Sequence, residues 1–70
     1  MRSEYTAVIK RNGKVWMGWV QEVPGVNAQE ATRGKLLASL HEALTDVLRY
    51  NREQALRAAG TGYQEVRIAA

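Results

Sequence analysis

The sequence "YTAVIKRNGKVWMGWV", residues 5–20, contains a strong signal for a β-hairpin. Two runs rich in β-branched and aromatic residues, 4–11 and 14–23, flank the dipeptide Asn12-Gly13. Asn-Gly tolerates the two positive φ angles of a type I′ turn better than other pairs, so the stretch predicts a β-hairpin with a two-residue loop. Such a loop would place Arg11 opposite Lys14 and would pair the residues before Arg11 one by one with those after Lys14.

This register would divide the side chains of the hairpin between two faces of a sheet. The first face is apolar or small at its centre and suits a core: it carries Tyr5, Ala7, Ile9, Trp16, Gly18 and Val20. Ala7 opposite Gly18 would leave a trough in which a helix could approach closely. The second face is mixed, and its apolar residues are our candidate protein interface: Val8, Val15, Met17 and Trp19. An apolar patch on a small domain usually indicates a partner, and this face could be either the seam of a homodimer or a site for a different protein.

The sequence beyond the hairpin predicts one more strand, a helix and a final strand. Pro24-Gly25 ends the second strand, 26–31 can form a short third one, and Thr32 is placed to cap a helix. Leucine and alanine then recur at helical spacing from 35 to 48. Residues 51–59 either continue that helix or form a second one, and the alternation over 63–69 indicates a last strand. We therefore expect an α+β fold of order β-β-β-α-β, with one main helix on one face of a three- to four-stranded antiparallel sheet.

The composition limits the kinds of protein this chain can be. Its 70 residues form one domain at most, without cysteine for disulfides or thiolate-bound metal. A core of this size without cross-links often gains stability by oligomerising, so we expect a homo-oligomer, a dimer or higher. No apolar run approaches a membrane span and "MRSEYTAVIK" is no signal peptide, so we expect a cytoplasmic protein without a membrane partner. The net charge of +3 permits a nucleic-acid partner.

The ordered set of motifs resembles the HicB-like antitoxin family. Its pieces here are the Y-x-A-x-I strand at 5–9, the Asn-Gly turn, Pro24-Gly25, a polar strand before Thr32, a leucine/alanine helix and "EVRI" at 65–68. The resemblance covers nearly all of 1–70 and implies a truncated RNase H-like domain without nuclease carboxylates. It also implies neutralisation of a HicA-type, mRNA-cleaving toxin by covering its RNA-binding and catalytic surface. Longer members carry a C-terminal DNA-binding domain, which we do not expect here.

Residues that could carry chemistry form no catalytic or metal set in the sequence. His41 is the only histidine and "HEAL" is not an H-E-x-x-H motif, so we expect it to flank the apolar stripe of the helix. The seven carboxylates do not converge as a two-metal nuclease site would need. We therefore expect a binding protein, not an enzyme, with no cofactor.

The alternative functions are a nucleic-acid-binding module and a purely structural homo-oligomer. The first would use the basic residues around the hairpin turn, Lys10, Arg11 and Lys14, with a tryptophan as a stacking platform. Trp16 and Trp19 should project to opposite faces, so at most one of them can join such a platform.

Overall fold

The computed structural model describes residues 4–69, and these form an α+β fold with three strands followed by one helix. The elements are β1 (Ala7–Asn12), β2 (Val15–Val20), β3 (Asn27–Glu30) and α1 (Arg33–Ala59). The sheet order is β1-β2-β3, and both pairs are antiparallel. The prediction of an antiparallel sheet of three to four strands with one main helix is confirmed, and the sheet has three strands.

The hairpin between β1 and β2 has a different turn from the one predicted. Asn12 pairs with Val15, so the two loop residues are Gly13 and Lys14. Gly13 has a φ of 65°, whereas no non-glycine residue among those described has a positive φ. A positive φ at the first loop residue alone is what a type II′ turn requires, and glycine suits that position. The expectation that Arg11 lies opposite Lys14 is therefore wrong, since Arg11 pairs with Trp16.

The shift of two positions leaves the two faces of the hairpin unchanged, because side chains alternate with a period of two. It does change which residues are neighbours. Ile9, not Ala7, lies opposite Gly18. A Cβ atom at Gly18 would lie 2.8 Å from Cγ2 of Ile9, so the isoleucine fills the space expected to form a trough.

The link from β2 to β3 is folded into two tight turns that contribute to the core. The Val23 amide donates to the Val20 carbonyl, and the Val26 amide donates to the Val23 carbonyl, each at 3.3 Å. Pro24 and Gly25, with φ of 90° at the glycine, occupy the positions they favour in a type II turn. All three valines are buried, with exposed fractions of 8% or less.

One helix spans the whole leucine/alanine segment and continues to Ala59, so residues 51–59 extend α1 and do not form a second helix. Thr32 caps it as predicted, because its hydroxyl oxygen accepts from the Lys35 amide at 3.1 Å. Gly60, with φ of 73°, ends the helix and donates to the Leu56 carbonyl. At about 1.5 Å per residue the helix is about 40 Å long.

Only the first half of α1 lies on the sheet, where it packs mainly on β2 and β3. Leu36 and Leu40 are buried with the valines Val20, Val23 and Val26. From 49 to 59 every residue is exposed except Leu56, which is half-buried. The second half therefore projects beyond the sheet, and the principal extents are 51 × 23 × 15 Å.

The last predicted strand does not form. Residues 63–69 have no regular secondary structure, and Val66 and Ile68 are 73% and 90% exposed. The segment is held to the projecting half of α1 by Arg52, whose two terminal nitrogens donate to the Glu65 carboxylate at 3.1 and 3.3 Å. Within the described part of the chain, α1 lacks the apolar character needed to cross a bilayer.

Candidate protein-binding face

The side of the sheet turned away from α1, called the outer face below, carries the predicted interface residues. Val8 pairs with Trp19, Lys10 with Met17, and Asn12 with Val15. Across the next ladder Trp19 pairs with Asn27 and Met17 with Gln29. Paired residues of neighbouring strands project to the same side. Val8, Val15, Met17 and Trp19 are thus brought together on one surface, as the alternation predicts.

The apolar part of the outer face is open to solvent. Trp19 is 44% exposed and Val15 is 39% exposed, while Val8 and Met17 are half-buried against their neighbours. Val8 flanks Trp19 on one side and the polar Asn27 flanks it on the other. The result is an aromatic side chain at the centre of a row, with apolar and amide groups around it. Tryptophan in such a setting is typical of residues that dominate protein–protein binding.

The outer face carries little charge. Among the strand residues that lie on it, Lys10 is the one ionisable side chain, and its cross-strand neighbour is Met17. The others are apolar or are the amides Asn12, Asn27 and Gln29. A surface of this kind gains its affinity from excluding water from apolar groups, which depends little on salt.

The basic residues around the hairpin turn are exposed but are divided between the two sides of the sheet. Lys10 lies on the outer face, whereas Arg11 pairs with Trp16 on the side of the helix. The Nε atom of Arg11 donates to the Gly13 carbonyl at 3.0 Å, and Lys14 lies in the loop itself. Only Lys10 of the three therefore shares a strand face with Trp19.

The two tryptophans lie on opposite sides of the sheet, as predicted. Trp16 is half-buried and packs against the core beneath α1, opposite Glu30 of β3. The Glu30 carboxylate in turn accepts from the Ser39 hydroxyl of α1 at 2.6 Å. This hydrogen bond ties the third strand to the helix and gives that carboxylate a structural role.

The histidine and two of the carboxylates considered for catalysis lie exposed along α1. His41 is exposed at the side of the apolar stripe, and its carbonyl accepts from the Thr45 hydroxyl at 2.9 Å. Glu42 and Asp46 are exposed on α1. Within 4–69, no three histidine or acidic side chains are grouped so that they could hold a metal ion.

A second surface feature, an apolar groove beside the free edge of β1, could not be predicted from the sequence. One hollow of about 150 Å³ is lined by Tyr5, Ala7, Val20, Leu37, Leu40, His41 and Leu44. A second hollow of about 290 Å³ continues past Tyr5 to Leu48, Arg49 and Arg52. The groove exists because α1 packs mainly on β2 and β3 and leaves β1 partly uncovered.

Comparison with protein-family models, with curated proteins and with solved structures finds no match to this chain.

Proposed function

We propose that this protein acts by binding another protein through the outer face, and that the partner is a HicA-type, mRNA-cleaving toxin. The observation that carries the proposal is the cross-strand row of Val8, Trp19 and Asn27, in which Trp19 is exposed, with Met17 and Val15 beside it. In this mechanism the sheet covers the surface with which the toxin contacts RNA. Inhibition is steric and requires no chemistry from this chain.

The chemistry of the outer face supports a protein partner over a nucleic acid. Stable interfaces have an apolar, aromatic-rich centre from which charged residues are depleted. The outer face fits that description, since Trp19 and Met17 lie near its middle and Lys10 is its single charge among the strand residues. A sheet that binds single-stranded nucleic acid instead combines stacking aromatics with a positively charged groove.

The identity of the partner rests on the order of the sequence motifs. The Asn-Gly turn, the Pro-Gly end of β2, the polar third strand and Thr32 before the leucine/alanine helix resemble the HicB-like family in sequence. That resemblance directs the experiment toward one class of toxin. The outer face would engage such a toxin whether or not this chain is joined to a DNA-binding domain.

A growth assay tests the proposal. A HicA-type toxin, taken from the reading frame beside the gene for this chain where one is present, is induced in cells with and without this protein. We expect wild-type protein to restore growth and Trp19→Glu to fail. The matched control is Tyr50→Glu, since Tyr50 is 61% exposed on the projecting half of α1. Equal rescue by both variants, or no rescue by the wild type, would remove the proposal.

A salt titration separates the two classes of partner. If Lys10, Arg11 and Lys14 contacted three phosphates of a single strand, the logarithm of the affinity would fall with that of the salt concentration with a slope of about −2. We expect no such nucleic-acid binding, and a toxin affinity that changes little with salt. A slope near −2 for a single-stranded oligonucleotide would support the nucleic-acid module instead.

A further inference from the structure

The segment 63–69, called the tail below, has the pattern of a strand but pairs with no other strand within residues 4–69. Tyr63, Glu65 and Arg67 alternate with Gln64, Val66 and Ile68. In a β-conformation Val66 and Ile68 would share one face. They are the two most exposed large hydrophobic side chains described, at 73% and 90%.

The free edge of β1 is a place where a strand can be added. The Gln21 amide donates to the Thr6 carbonyl at 2.9 Å, so the backbone of Thr6 points toward the β2 side. Backbone direction alternates along an antiparallel strand. Val8, Lys10 and Asn12 therefore bond toward β2, whereas the N–H and C=O groups of Ala7, Ile9 and Arg11 point to the open edge. Such a row of backbone groups is a template for another strand.

The groove beside this edge supplies the apolar contacts that a strand with Val66 and Ile68 would need. Tyr5, Ala7, Leu37 and Leu44 line it on the side of the helix. Only five side chains of the described chain form its buried core. A domain with so small a core gains more from covering this groove than a larger one would.

Within one copy of the chain, the tail does not cover the groove. The Arg52–Glu65 contact holds the tail beside the projecting half of α1, and the residues that follow, Val66 to Ile68, turn into solvent. We propose that two copies of this chain exchange tails, so that residues 63–69 of each copy add as a strand to the β1 edge of the other and place Val66 and Ile68 in its groove. The exchange is reciprocal, as a two-fold dimer requires. It leaves the outer face of both copies available to a different partner.

Substitutions in the tail test the proposal without disturbing the fold of the sheet and α1. Ile68→Ser should weaken dimerisation about tenfold or more, because it removes a large apolar side chain from a buried site. Arg67→Ser, one residue away on the other face of the strand, should leave it unchanged. Sedimentation equilibrium measures both. A monomeric wild-type protein, or equal dimer strength in both variants, would overturn the proposal.

A proline placed on the edge tests where the tail binds. Ala7→Pro removes an N–H that points to the open edge and spares the β1–β2 ladder, so we expect a folded monomer by sedimentation and circular dichroism. Val8→Pro removes an N–H that points to β2 and should destabilise the fold itself. A folded Ala7→Pro protein that is still dimeric would overturn the edge assignment.

Disulfide trapping distinguishes exchange between copies from docking within one. The sequence has no cysteine, so introduced cysteines report without background. An oxidised mixture of Ala7→Cys and Ile68→Cys proteins should give a mixed disulfide dimer on a non-reducing gel. The double variant in one chain should also run as a dimer. A double variant that oxidises only to a monomeric, internally cross-linked form would contradict tail exchange.

Discussion

Replacing Gly18 by alanine tests the register of the central hairpin and the packing that follows from it. The new Cβ atom would lie 2.8 Å from Cγ2 of Ile9 and 2.9 Å from the Val8 carbonyl oxygen. Favourable carbon–carbon contacts are about 3.5–4.0 Å, so the methyl contact is too short by about 0.7 Å. Isoleucine is stiff at χ1 and the carbonyl belongs to strand backbone, so neither group moves away easily.

The size of the effect follows from two opposing contributions. Overpacking of this kind costs about 1–3 kcal/mol. The lower conformational entropy of alanine in the unfolded chain offsets about 0.5–1 kcal/mol of that cost. We expect a net loss of about 1–2 kcal/mol, or a fall in Tm of about 4–16 °C for a domain of this size.

Gly34→Ala is the matched control, measured by the same thermal and urea unfolding followed by circular dichroism. Apart from its chain neighbours and the adjacent helix backbone, nothing lies within 4 Å of a Cβ built at Gly34, and the residue is in the first turn of α1. Alanine there should raise the stability by up to about 1 kcal/mol. A Gly18→Ala protein as stable as the wild type would refute the close approach of Ile9. Stability changes of the same sign in Gly18→Ala and Gly34→Ala would contradict the packing argument.

Three further substitutions test the core, the helix start and the tail contact. Leu40→Ala should cost about 2–5 kcal/mol in urea unfolding, because the side chain is 2% exposed; a loss below about 0.5 kcal/mol would show that the helix faces another way. Thr32→Ala should cost about 0.5–2 kcal/mol through loss of the cap on the Lys35 amide, with lower helicity by circular dichroism. Glu65→Gln should change the unfolding free energy by less than about 1 kcal/mol, since the pair with Arg52 is largely exposed; a larger loss would mean that the tail supports the fold.

The faces of the hairpin could be predicted from sequence even though its register could not. An even register shift keeps the same β1 and β2 side chains together on each face, so the shift of two left Val8 on the face of Trp19 and Ile9 on the face of Trp16. The dipeptide Asn12-Gly13 fits two kinds of turn, with glycine second or first in the loop. Which turn forms depends on packing across the strands, including the fit of Ile9 against Gly18.

The helix was predictable because its signals are local. Thr32 caps it, the apolar residues recur at helical spacing, and Gly60 ends it with a positive φ. Residues 51–59 remained ambiguous because Asn51 interrupts the apolar stripe, and in the structure this half has no sheet to pack against.

The terminal strand and the groove show where local patterns stop being sufficient. The alternation over 63–69 is a strand pattern, but a strand also needs a neighbour to bond with. The groove between β1 and α1 depends on the position of the helix across the sheet. No spacing within a single segment encodes that position.

We propose that Trp19 anchors a HicA-type toxin to the outer face. Isothermal titration calorimetry of a catalytically inactive toxin with this protein measures the binding affinity directly for wild type, Trp19→Glu and Tyr50→Glu. A central interface tryptophan contributes about 2 kcal/mol or more, so Trp19→Glu should weaken binding at least about thirtyfold while Tyr50→Glu binds as the wild type does. Equal affinity for the wild type and Trp19→Glu, or no heat of binding for the wild type, would contradict this role of Trp19.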